Sequence, residues 1–584
     1  MSSYINTRLV RLAVAALSGF SLFGLQACSM LTKADTDQPT AVNVTPVVST
    51  SRIKPQYQQD ADLVYLLMLA EVAAHRGDLT TSVQSYLKAA RQSDDPAIAE
   101  RATRVASFAR DYKSAMLAAE RWAELQPDNL DVHHSLIILY LRNNLIDKAV
   151  HAVDLVFKLT DKSKIQGFGH LVALLNNESD KEAVLTLMER VVANYNNNPH
   201  AHFAYARLAF QSKKYDKARE HVDQALKLDP GNDAASSLLA RIQMVQGETD
   251  SALAIMRQLV DKNPGSSAHR ASYARLLAVA KRYDEALVQF KKVLKDNPEN
   301  ADIIYAIALL TLEQRKFKTA EKYFKLLLSK RKRVFESYYY LGNIAEGRND
   351  FSQAIKWYKQ VQHGQNKIEA GVRVAQLMAQ QGKMQQARQQ LQDMNRNEPN
   401  LEVRLYVVEI DMLTKAGDYT TAMEVVNKGL SEYEDNADLL YARSLLAEKM
   451  ERLDIAENDL KKILEKDPEN IHALNALGYT LADRTERLQE AFRYIEKAMK
   501  LAPEEPAILD SMGWVLYRMG RSAEAIDYLR RALKIMPDDE IAAHLGEVLW
   551  VTGQRKEASQ VWKRALKAKP DSVHIKEVLK RFNQ

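Results

Sequence analysis

The sequence predicts an all-α fold, a solenoid of about fifteen helical hairpins, and three regularities carry that reading. A small residue recurs at Ser82, Ala115, Ala149, Ala183, Ala218, Ala252, Ala286, Ala320, Ala354, Ala387, Ala422, Ala456, Ala491, Ala525 and Ala558, always 33, 34 or 35 residues apart. Four residues after it stands a larger apolar residue in fourteen of fifteen cases, Ala119 being the exception, and twelve after it stands proline in nine. Twelve residues before it, Gly or Ala occurs nine times, including Ala206, Ala274, Gly342, Gly513 and Gly546.

Each position has a physical cause. A glycine inside a helix costs about 1 kcal/mol relative to alanine, so Gly342, Gly513 and Gly546 make sense where a second helix approaches closely. The recurring small residue belongs to the other side of that contact. Proline has no N–H and cannot continue a helix, so it ends the second helix of a hairpin and opens the turn to the next. One hairpin cannot bury both its faces, whereas stacked hairpins can. These spacings resemble the tetratricopeptide repeat (TPR) pattern. That resemblance implies about 15 repeats over residues 61–584, wound as a right-handed superhelix whose first helices line a long concave groove, with a capping helix near Val573 to Phe582. No interval between markers exceeds 35 residues, which leaves no room for an inserted catalytic domain.

Ahead of the array the chain reads differently. Arg8 and Arg11 precede sixteen uncharged residues, Leu12 to Ala27, and the run ends at Cys28, the only cysteine in the chain. A charged start followed by a short apolar run is the layout of a signal peptide, here residues 1–27. A lone thiol cannot form a disulfide within the monomer. Leu25, Gln26, Ala27 and Cys28 resemble a bacterial lipobox, which implies lipidation of Cys28 on its sulfur and on its new amine. Because each buried methylene contributes about 0.8 kcal/mol, several acyl chains hold a protein on a membrane without a spanning helix. Ser29 stands where aspartate would signal inner-membrane retention, so the resemblance implies the periplasmic face of the outer membrane. Residues 28–60 are rich in Thr, Ser and Pro and read as a flexible tether, roughly 30 Å end to end as a coil.

Composition narrows the function classes. Removing residues 1–27 takes away two arginines and no acidic residue, so the formal charge falls from +6 to +4. A nucleic-acid binder shows a basic face, and the one short basic run, Lys330 to Arg333, reads as a turn between helices. No phosphate loop, nucleophile elbow or zinc-protease motif is present. Neither His133 with His134 nor His200 with His202 has the disposition of a metal pair. The expectation is a non-enzymatic protein-binding surface with no cofactor, no metal, no nucleic acid and no small-molecule substrate.

Gly513 sets the register of the candidate binding residues. Asp510, Trp514, Tyr517 and Arg518 fall on the groove side of their helix, opposite Leu509, Met512 and Leu516. The equivalent positions in the neighbouring repeats are Asn475, Tyr479 and Asp483 before it, and Glu547 and Trp550 after it. Aromatic residues with charged neighbours are typical interface anchors. Packing of Trp514 and Trp550 between adjacent repeats remains an equal alternative at this point.

Two segments resemble more than a repeat consensus. LNALGYTLADRTERLQEAFRYIEKAMKLAPEEPAILDSMGWVLYRMG with EIAAHLGEVLWVTGQ, and DPAIAERATRVASFARDYKSAMLAAERW at residues 95–122, are similar to the LbcA type of long proteobacterial tetratricopeptide outer-membrane lipoproteins. The resemblance implies binding and activation of a periplasmic carboxyl-terminal processing serine protease and delivery of its substrates, such as peptidoglycan hydrolases, a role analogous to that of NlpI. Tetratricopeptide lipoproteins also serve as scaffolds in envelope machines for exopolysaccharide export or pilus assembly, which is the alternative reading.

Overall fold

Asparagine, aspartate and serine punctuate the chain where helices begin. Asn198, Asn232, Ser266, Asn300, Asn436 and Asn470 each accept a backbone N–H from the first turn that follows, satisfying donors the helix itself cannot. The computed structural model describes residues 55–160, 164–397 and 399–582, and these hold 31 α-helices, one 3-10 turn at Pro399–Leu401 and no strand. Thirty helices alternate in chain order as first and second helices of fifteen repeats, and thirteen of these successive pairs pack together as hairpins, from Pro55–His75 with Leu79–Gln92 to Asp539–Val551 with Arg555–Ala568. Val573–Arg581 follows as a single terminal helix. The apolar run, Cys28 and the tether as far as residue 54 lie outside the described residues. The first helix opens at Pro55, ahead of residue 61. Among the described residues no helix is long and apolar enough to cross a membrane.

The chain divides into two compact units, one ending at Tyr323 and one beginning at Phe324. The same packing rule builds both. Fourteen of the fifteen marker residues are at most 1% exposed. Ala183 is the exception: in Lys181–Asn194 the larger Val184 takes the buried place and leaves Ala183 half-buried at the flank. The residue four places after the marker is the knob that enters the opposite helix. A Cβ at Gly513 would lie 2.5 Å from Leu529, and one at Gly342 would lie 2.5 Å from Tyr358. Close approach of helices thus requires glycine at these positions, as their spacing in the sequence indicates.

Thirteen of the fifteen turns between first and second helices close through a residue in the left-handed region, which terminates the first helix. Gly520 (φ 81°) is one of them, with its N–H donating to the Tyr517 carbonyl at 2.9 Å and Arg521 N–H to the Leu516 carbonyl at 2.8 Å. The basic run is likewise a turn, between Phe317–Ser329 and Val334–Gly347, with Arg331 and Arg333 at positive φ.

Candidate functional site

The candidate residues sit on three successive first helices of the second unit, Ile471–Arg484, Pro506–Arg518 and Asp539–Val551, followed by the terminal helix. Adjacent first helices pack on each other, so a side chain one repeat later can cover its predecessor. His544, 34 residues beyond Asp510, does so. Its Nδ1 lies 3.0 Å from both Asp510 carboxylate oxygens. The His544 ring also stacks on Trp514, with centroids 4.3 Å apart and planes at 26°. From the other side Trp514 Nε1 donates to Asp483 Oδ1 at 3.1 Å, 31 residues back. Trp514 is 6% exposed, Asp510 7% and His544 8%.

Arg518 is committed to its neighbour as well. Its Nη1 donates to the carbonyls of Ala482 and Asp483 at 2.7 and 3.0 Å, and Nη2 pairs with Glu486 at 3.2 Å. These carbonyls lie in the last turn of Ile471–Arg484, where a helix leaves acceptors unsatisfied. Glu547, also buried, pairs with Arg581 of the terminal helix at 2.6 Å. Half-buried Trp550 leans on Trp562 and Phe582, with the Arg555 guanidinium 5.3 Å from its ring centroid.

Of the nine sequence candidates, Asp510, Trp514 and Glu547 are therefore buried. Asn475, Tyr479, Asp483, Tyr517, Arg518 and Trp550 are half-buried. Asn475 Oδ1 is buried and has no hydrogen-bond partner among the described residues. Carboxylates dominate the surroundings of Tyr479: burial, then Glu540, Asp483, Asp510 and Glu448, push its phenol well above the ordinary value. Burial likewise raises Glu448, and the nearby charges of Asp483 and Glu540 add to it although Arg484 and Lys449 oppose. The face is acidic and aromatic. Among the described residues no group of three or more His, Cys, Asp or Glu could hold a metal ion.

His544 escaped the sequence reading because an isolated histidine on a helix carries no signal; the 34-residue offset from Asp510 is the one clue. Burial disfavours its protonation, but the charge and hydrogen bond of Asp510, with Glu540 and Glu547, outweigh burial and raise its pKa. A raised folded-state pKa contributes stability that is full below the unfolded value of about 6.5 and is lost as pH rises through the folded value. Melting of the protein, followed by tryptophan fluorescence, is accordingly expected to show a C-terminal transition that moves down as pH rises above 6.5. His544→Gln should flatten that dependence, and an unchanged profile in the variant would remove His544 as its source.

Comparison with known proteins agrees with this architecture. The tetratricopeptide repeat pattern matches residues 209–276, 277–341 and 516–581, with further matches at 469–538 and 177–233. The TPR repeat-containing protein PA4667 of Pseudomonas aeruginosa is 34% identical over 553 residues, 94% of this chain and 91% of that protein. The chain belongs to the tetratricopeptide repeat proteins. Among solved structures, yeast Tom70 is similar at 14% identity, covering 90% of this TPR chain and 95% of its own, with a TM-score of 0.34. The thermophilic TPR protein TTC0263 of Thermus thermophilus is 19% identical, covering 31% of this chain and all of its own, with a TM-score of 0.29. Tetratricopeptide repeats are scaffolds for protein partners, and aromatic residues such as those of this face are enriched in protein interfaces.

Proposed function

We propose that this chain is a non-catalytic adaptor lipoprotein, anchored to the periplasmic face of the outer membrane through Cys28, that binds and activates a carboxyl-terminal processing serine protease and brings substrates such as peptidoglycan hydrolases to it. The supporting observation is the similarity of its two end segments to LbcA-type lipoproteins, within a chain that is 34% identical to a P. aeruginosa TPR protein along 94% of its length. An adaptor of this kind acts by raising the effective concentration of protease and substrate together. Its half-buried aromatics, Tyr479, Tyr517 and Trp550, offer rigid contact area, with carboxylates around Tyr479 and Arg555 beside Trp550.

The test is affinity capture of the tagged full-length chain from detergent-solubilised membranes. A serine protease of the carboxyl-terminal processing type among the captured proteins is the expected result; a secretin or polysaccharide porin in its place would move the chain to an export or pilus machine. Anchoring is tested separately. Cys28→Ser is expected to leave the repeats folded and release the protein from the outer-membrane fraction, with mass spectrometry finding acyl groups on the wild-type chain alone. Retention of the variant, with no acyl group on wild type, would overturn the anchor.

A further inference from the structure

Arg207, Arg241 and Arg275 are spaced 34 residues apart, each one place after the alanine of its repeat, Ala206, Ala240 and Ala274. They project from the equivalent position of three successive first helices in the first unit, Pro199–Gln211, Asp233–Val245 and Ser267–Val279, each of which contacts the next. Arg207 and Arg241 are exposed and Arg275 is half-buried. Phenylalanines hold two of the guanidiniums: Arg241 lies 4.5 Å from the ring centroid of Phe210 on the preceding helix, and Arg207 lies 5.9 Å from that of Phe203.

What these three share is a row of like charge on adjacent helices with no paired carboxylate. Many arginines of this fold find carboxylates, as in Arg142 with Glu178 at 2.8 Å, Arg443 with Asp459 at 2.7 Å and Arg518 with Glu486 at 3.2 Å. Among the described residues, Arg207, Arg241 and Arg275 make no ion pair and no hydrogen bond. Desolvation lowers the pKa of all three, and Arg241 is lowered further by Arg207 and Arg275 on either side. Asp302, on Ala301–Glu313, is the one opposing charge felt in the row, at Arg275. Three cations brought together against their own repulsion weaken the free protein, and a bound anion reverses the sign of that interaction.

We propose that this arginine row is a docking site for an extended acidic segment of a protein partner, with an Asp or Glu at about every third residue. Packed helices lie about 8–10 Å apart, and a segment in the polyproline II conformation, with about 3 residues per turn and a rise of about 3.1 Å per residue, returns every third side chain to the same side about 9 Å further on, so each carboxylate meets one guanidinium. A planar guanidinium held on an aromatic ring presents its fork to a carboxylate in two parallel hydrogen bonds. The half-buried Phe203, Phe210 and Met244 beside the row supply apolar contact for the intervening residues of a peptide, which a phosphate chain would leave unused. The site lies in the first unit and is independent of the protease reading.

The probe is a fluorescein-labelled twelve-residue peptide with aspartate at every third position and alanine between, titrated into the full-length chain in detergent with fluorescence anisotropy as the readout. Saturable, salt-sensitive binding is expected, weakened at least about 30-fold by the combined Arg207→Gln, Arg241→Gln and Arg275→Gln substitutions. Relief of like-charge repulsion means that the triple variant should melt no lower than wild type. Equal affinity in wild type and variant would overturn the proposal, and so would a lower melting temperature, which would make the row structural. Arg241→Lys keeps the charge and loses the fork, so it should weaken binding several-fold; full retention would exclude carboxylate recognition by the fork. Tighter arginine-dependent binding of inorganic polyphosphate or of phosphatidylglycerol vesicles than of the peptide would replace the acidic segment with a phosphate ligand.

Discussion

Gly546→Ala is expected to destabilise the C-terminal repeats by about 3 kcal/mol, although alanine is the better helix former by about 1 kcal/mol. The cause is contact, not propensity. A Cβ at this position would overlap the Trp562 indole, coming within 2.6 Å of its Cδ1. Trp562 is 1% exposed and cannot withdraw, because Trp550 and Phe582 pack on it with centroids 5.6 and 6.4 Å away. The added methyl must therefore push Asp539–Val551 away from Arg555–Ala568, the last hairpin of the array. Denaturant unfolding read by tryptophan fluorescence checks this, with the early transition expected to move to lower denaturant. Trp562→Leu added to Gly546→Ala should recover part of the loss, a coupling that separates overlap from helix propensity. A more stable Gly546→Ala protein would mean that the two helices do not meet as described.

Trp514→Ala is expected to cost 3–5 kcal/mol, in the range for an aromatic removed from a packed interior. The deletion leaves a void between Asp483 and His544, takes the indole N–H from Asp483, and uncovers the His544–Asp510 pair. Loss of stability should appear without any partner present, as a lower melting temperature in the purified chain. A variant that melts like wild type while losing partner affinity would instead make Trp514 a surface anchor. Tyr479, Tyr517 and Trp550 are the better probes of binding, since each keeps part of its ring accessible.

The architecture was legible in the sequence because a repeat states its rule many times over. A 34-residue period, a small residue that another helix must approach and a proline that ends the second helix are local demands of backbone and packing. They specify the fifteen repeats, the terminal helix and the place of Gly342, Gly513 and Gly546. Ala183 departs from the pattern because one larger neighbour, Val184, claimed the buried place.

The candidate site was legible only in outline. The register put Asp510, Trp514 and Glu547 on the face turned toward a ligand, and tertiary structure buried all three. Their covers come from other repeats: His544 over Asp510 and Trp514, and Arg581 over Glu547. Helical periodicity states which face a residue occupies and is silent on what the next repeat lays over it. The row of Arg207, Arg241 and Arg275 shows the same division. Its 34-residue spacing can be read along the chain, but whether an arginine on a helix face meets a carboxylate cannot. That these three find none is a property of the neighbours that packing brings to them, since a charge is satisfied or left unsatisfied by what lies within a few ångströms in space, however far along the chain it stands.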